Sequence, residues 1–198
     1  MSAAADPGVG GFRPDQPRDG EPSDLEHPDI GPPDLRAFDD VLAANDGYAK
    51  TFQLAGLPAV AGRGLAVVTC MDSRIEPLQM LGLSAGDAKI LRNAGARVTA
   101  DVLRTLVLAV HLLGVTRVMV VTHTKCRMAQ SSDDEVHAHI LRTSGVDSRS
   151  LEFGTTSDQE ASLREDVVRI RAHPLLPDDL AVLGCHYDVD SGELTPVV

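Results

Sequence analysis

The chain of 198 residues contains no tryptophan, and its two tyrosines and four phenylalanines bring aromatics to only 3%. Its core must therefore be filled by Val, Leu, Ile and Ala. Basic residues are scarce as well: 18 Lys and Arg stand against 29 Asp and Glu, a formal net charge of −11. That balance repels polyanions, and no Lys/Arg run offsets it, so neither nucleic acid nor a membrane surface is expected as a partner. No apolar run reaches the about 18 residues of a spanning helix, and Met1 to Gly11 has no basic region followed by an apolar stretch of the signal-peptide kind. Cysteine is limited to three residues, which cannot all pair within the chain. Reduced thiols and a cytoplasmic location follow more simply than a secreted disulfide scaffold.

Residues 1–33 hold seven of the 12 prolines and five glycines, with few apolar side chains between them. Such a segment buries too little surface to offset its ordering entropy, and it is expected to be a disordered acidic tail. The functional domain is expected over 34–198. Leu35, Phe38, Val41 and Leu42 recur at helical spacing, which predicts an amphipathic helix between Asp34 and Gln53, used for core packing or for subunit exchange. Three short apolar, β-branched runs follow: Leu65 to Cys70, Ala88 to Ala94 and Arg117 to His123. The first and third read as buried strands and the second as a strand closed by Gly95. Thr99 supplies an N-cap for a helix running to Leu113, where Gly114 stops it. Further helices are expected over Ser131 to Arg142 and Ser157 to Ala172, then a fourth buried strand over Leu180 to Val189. The Asp190-Ser191-Gly192 turn should fold Glu193 to Val198 back as an antiparallel edge. The fold class is thus α/β, a mostly parallel central sheet flanked by helices with an antiparallel C-terminal edge.

In open α/β sheets ligands bind beyond the carboxyl ends of the strands, and two of the predicted strands deliver metal-ligand types to that edge. Cys70 ends the first, His123 ends the third, and Cys126 follows His123 by three positions. Two thiolates and an imidazole suit Zn2+ and leave a fourth position open, as catalytic zinc requires. An H-x-x-C pair by itself is equally compatible with inert packing. Asp72 and Arg74 alter the reading, because they place a carboxylate and a guanidinium in the loop that carries Cys70, where they can pair bidentately.

The two motifs, C-x-D-S-R at Cys70 to Arg74 and H-x-x-C at His123 to Cys126, resemble the signature of the beta-class carbonic anhydrases. Arg92-Asn93-Ala94-Gly95 is similar to the family's second-strand segment. Tyr187-Asp188-Val189 with Ser191-Gly192 resembles the end of its smaller actinobacterial-type members. The resemblance spans Asp34 to Val198. It implies zinc on Cys70, His123 and Cys126, with Asp72 accepting a hydrogen bond from the zinc water or taking the fourth site in a closed state, and Arg74 holding Asp72 off the metal. It further implies an enzyme that hydrates CO2 reversibly to bicarbonate through zinc-bound hydroxide, built as a homodimer or a dimer of dimers in which the N-terminal helix embraces the partner. Two thiolate ligands donate more charge than imidazoles, so the resemblance also implies activity rising toward alkaline pH.

Arg127 stands where the family usually has glycine, so its side chain or backbone is expected to alter the site. The same ligands serve relatives that hydrolyse carbonyl sulfide or carbon disulfide, which is the alternative activity; a non-catalytic zinc or thiol-redox protein is the second alternative. Cys185 and His186 are expected to be packing residues, and His137 and His139 exposed ones.

Overall fold

The computed structural model describes residues 35–198; the tail and its boundary at Asp34 lie outside the described residues. The chain divides into two units, Met1–Phe52 and Gln53–Val198. In the first, a 3-10 turn at Leu35–Phe38 leads into helix α1, Asp39–Lys50, with acidic residues in its first turn and Lys50 in its last, as the helix dipole favours. Leu35, Phe38, Val41 and Leu42 remain 49–58% exposed.

The second unit is built on a five-stranded sheet in the order β2-β1-β3-β4-β5. Strands β1 (Leu65–Cys70), β2 (Ala88–Asn93), β3 (Arg117–His123) and β4 (Ala181–Tyr187) are parallel, and β5 (Leu194–Pro196) is antiparallel to β4. β1 and β3 coincide with the predicted runs. Every residue of β1 is buried, because successive side chains enter cores on opposite faces of the sheet. Ala66 and Val68 join Val118 and Val120 on one face, packed with Leu106 of α3 (Ala100–Leu113) and with Leu163, Val167 and Ile170 of α5 (Gln159–Arg171). Leu65 and Val67 join Val121 and Cys185 on the other.

The helix boundaries follow from capping. Thr99 accepts the N–H of Val102 at the start of α3, and Gly114 closes that helix at φ +69°. Ser132 and Glu135 form a reciprocal capping box at the start of α4 (Asp133–Ser144), and Asp158 caps α5. The short helix α2, Pro77–Met80, was not predicted, since a single turn opened by a proline carries no periodicity.

β4 departs from the expected doubly buried strand. Ala181 and Leu183 are exposed while Val182 between them is buried, so the first half of β4 is covered on one face of the sheet alone. No helix among the described residues is long and apolar enough to cross a membrane.

Candidate metal centre

Parallel pairing of β1 with β2 and β3 aligns the strand ends, so Cys70, Asn93 and the approach to His123 share one edge of the sheet. Cys126 returns to that edge through a tight loop in which Lys125 takes φ +56°, a conformation uncommon outside glycine. The donor atoms of Cys70, His123 and Cys126 lie within 4.8 Å of one another, and all three residues are buried. The two Sγ atoms are 4.0 Å apart.

His123 determines what this cluster can hold. Its Nδ1 lies 2.9 Å from the carbonyl oxygen of Thr124, so that nitrogen must carry the proton and donate. The lone pair is left on Nε2, which is fully buried and has no hydrogen-bond partner among the described residues. An orphaned buried polar atom costs about 1–3 kcal/mol unless a ligand satisfies it. A soft-to-borderline cation fits the set of one such nitrogen and two sulfurs.

The thiols point the same way. A hydrogen bond with Cys126 brings the Cys70 thiol down to about 4, helped by His123 and by the backbone N–H of Gly95, 3.4 Å from Sγ, against the cost of burial. The same Cys70–Cys126 hydrogen bond, together with burial, pushes Cys126 up. One proton is thus shared between two sulfurs, and a cation in its place would leave both as thiolates.

Asp72 sits beside the cluster with Oδ2 3.9 Å from His123 Nε2. Arg74 grips both of its oxygens, Nε to Oδ1 at 2.9 Å and Nη2 to Oδ2 at 2.7 Å, and its backbone N–H adds a third contact. The side-chain hydrogen bonds from Arg74 hold the Asp72 carboxyl well below the usual carboxylate range. Arg74 also donates to the carbonyl of Lys125, which ties the Cys70 loop to the Cys126 loop.

Three supports escaped the sequence reading. Arg92 on β2 donates to the carbonyls of Cys70 and Asp72 and so fixes the backbone between ligand and carboxylate. Gly95 gives the N–H to Cys70 from φ +78°, with Met128 so close that a Cβ would stand 3.2 Å from it. Gln159, at the start of α5, donates to the carbonyl of His123. Only Arg92 and Gly95 carried a signal, their place in the second-strand segment; Gln159 had none, being remote in sequence from both motifs.

Cys185 packs with Leu65, Val67 and Val121, and His186 bonds Thr122. His139 is exposed, whereas His137 is half-buried against Phe153 and bonded to Ser148, a correction to the expectation that both are exposed. The Arg127 side chain is exposed.

The carbonic anhydrase family model matches residues 65–194, a span that includes both motifs. Beta-carbonic anhydrase 1 of Mycobacterium tuberculosis is 34% identical over 163 residues, covering 82% of this chain and 99% of its own length. A carbon disulfide hydrolase from Acidianus is 30% identical over 182 residues, covering 79% of this chain and 87% of its own. The crystal structure of a carbonic anhydrase from Streptococcus mutans superimposes with a TM-score of 0.77 at 40% identity, over 81% of this chain and 97% of that one. A sheet with these two motifs at its carboxyl edge, matched over most of its length by such relatives, establishes that the chain belongs to the beta-carbonic anhydrase family.

Proposed function

We propose that the protein hydrates CO2 reversibly to bicarbonate, with Zn2+ held by Cys70 Sγ, His123 Nε2 and Cys126 Sγ. The observation that supports this most directly is the partnerless, buried Nε2 of His123 beside the thiol pair. When bound, zinc would lower the pKa of a water from about 15.7 toward about 7 and so supply the nucleophile near neutral pH.

The chain's own residues would orient that nucleophile. Asp72 is ionised and acceptor-only, so its Oδ2 can receive a proton from an O–H aimed across the cluster. Arg74 prevents the carboxylate from turning fully toward the sulfurs, because that motion would break a two-point contact. Ile75 and Ala96, both fully buried, line the sulfur side and exclude water, which suits a small, uncharged, linear substrate.

The carbon disulfide hydrolase relatives favour a second reading, attack on carbonyl sulfide or carbon disulfide at the same site. Stopped-flow CO2 hydration by the zinc-loaded protein, set beside sulfide release from carbonyl sulfide and carbon disulfide, separates the two. Turnover of CO2 is expected. Sulfide release without it would replace the proposal, and inactivity on all three substrates would leave a structural or redox zinc protein.

A homodimer or dimer of dimers belongs to the same proposal: the apolar side chains of the 3-10 turn Leu35–Phe38 and of α1 are exposed and suit a second copy. Residues 34–198 would form the catalytic domain and 1–33 its acidic tail. A cytoplasmic location is supported by the three cysteines, all free thiols.

A further inference from the structure

Between Gln53 and Val198, every arginine but two faces a carboxylate or donates to a backbone carbonyl. The exceptions, Arg127 and Arg142, have no acceptor among the described residues, and both line one hollow of about 670 Å³. Arg127 reaches it from the 3-10 turn that follows Cys126, and Arg142 from the last turn of α4. His139 lies one turn before Arg142 on the same helix face and lines the hollow as well. The single carboxylate there, Glu135, is engaged at its own helix end, where Oε2 accepts the N–H of Ser132 at 2.9 Å. Met128 and Val136 supply apolar lining.

Two unpaired guanidiniums around one concavity are conspicuous in a chain of net charge −11, where carboxylates are plentiful. They concentrate positive potential locally, and their planar forks match the oxygens of a phosphate better than they match water. The hollow exceeds what a single inorganic ion fills and falls within the roughly 300–1,000 Å³ of organic-ligand sites. We infer that it binds a small phosphomonoester. Its dianionic head offers three acceptor oxygens, one each for Arg127, Arg142 and His139, and its organic body lies over Met128 and Val136.

Calorimetric titration of the zinc-loaded full chain with glycerol 3-phosphate tests this. One saturable site per chain is expected, weakened about tenfold or more by Arg127→Ala and by Arg142→Ala, the loss of one charge-assisted contact in each. Arg149→Ala, which removes a guanidinium already paired with Asp147 and outside the hollow, should bind as the native chain does. Arg127→Lys and Arg142→Lys keep the charge without the fork and should weaken binding less, which guards against an alanine variant that fails to fold. No saturable binding at millimolar ligand would overturn the inference, as would native affinity in both alanine variants or an equal loss in Arg149→Ala. Succinate binding as tightly as glycerol 3-phosphate would overturn the assignment to phosphate.

Discussion

At the scale of single residues, the site separates holding a metal from using it. Cys70, His123 and Cys126 are the proposed donors, and a tetrahedral ion that loses one of three protein ligands loses most of its affinity. Cys70→Ser, His123→Ala and Cys126→Ser are therefore each expected to emerge without stoichiometric zinc in elemental analysis; full occupancy in any one of them removes that residue from the ligand set. Asp72 makes no such contact in the proposed working state. Asp72→Asn should retain zinc while CO2 hydration falls by at least about tenfold, because the amide can turn an N–H toward the nucleophile where an acceptor is required. Zinc loss in Asp72→Asn would show that the carboxylate is a ligand. The pairing of Asp72 with Arg74 was legible from their spacing, since residues two apart in a loop reach each other without help. The grip of Arg92 on the Cys70 and Asp72 carbonyls was not, because it spans two strands whose register only the folded sheet defines.

At the scale of elements, the metal loops rest on a second layer pinned by Asp133. This first residue of α4 accepts the N–H groups of Phe153 and Thr155 and the hydroxyl of Thr155, and the adjoining Thr156 N–H bonds the carbonyl of Met128 behind Cys126. The Thr155 hydroxyl is the main cause that lowers the Asp133 carboxyl from 3.8 to about 2. As pH falls the unfolded chain takes up this proton first, so the stabilisation is complete well above 3.8 and disappears as pH drops to about 2. Acid titrations followed by circular dichroism should show Asp133→Asn less stable than the native chain near neutrality, with the gap closing across that window. A constant gap down to the lowest pH would mean that Asp133 acts through packing instead. On β4, a Cβ at Gly184 would meet Val198 at 2.7 Å and Leu163 at 3.1 Å, so Gly184→Ala should cost about 1–3 kcal/mol in denaturant unfolding. Strand and helix positions were readable because apolar period and caps are local properties. α2 and the exposed face of β4 were not, one being too short for a period and the other governed by which elements cover that face of the sheet.

For the whole molecule, the proposal places the exposed apolar residues of the 3-10 turn Leu35–Phe38 and of α1 in a subunit contact. Light scattering on a size-exclusion column should give twice or four times the 21.0 kDa chain, and Leu35→Asp with Phe38→Asp should shift the population toward the monomer. A native protein eluting at the monomer mass would remove the dimer from the proposal.

The sequence by itself determined the order of the strands and of the long helices, the acidic character of the chain, and the residue types that gather at the candidate site, because these depend on residue type and near-neighbour spacing. Only the tertiary structure decided that Cys70 and Cys126 meet at 4.0 Å, that His123 turns a bare Nε2 toward them, and that Arg127 and Arg142 share one hollow. Those facts depend on parallel strand register and on loops returning to one sheet edge. Register comes from burial summed over all the strands together, which no short stretch of sequence encodes.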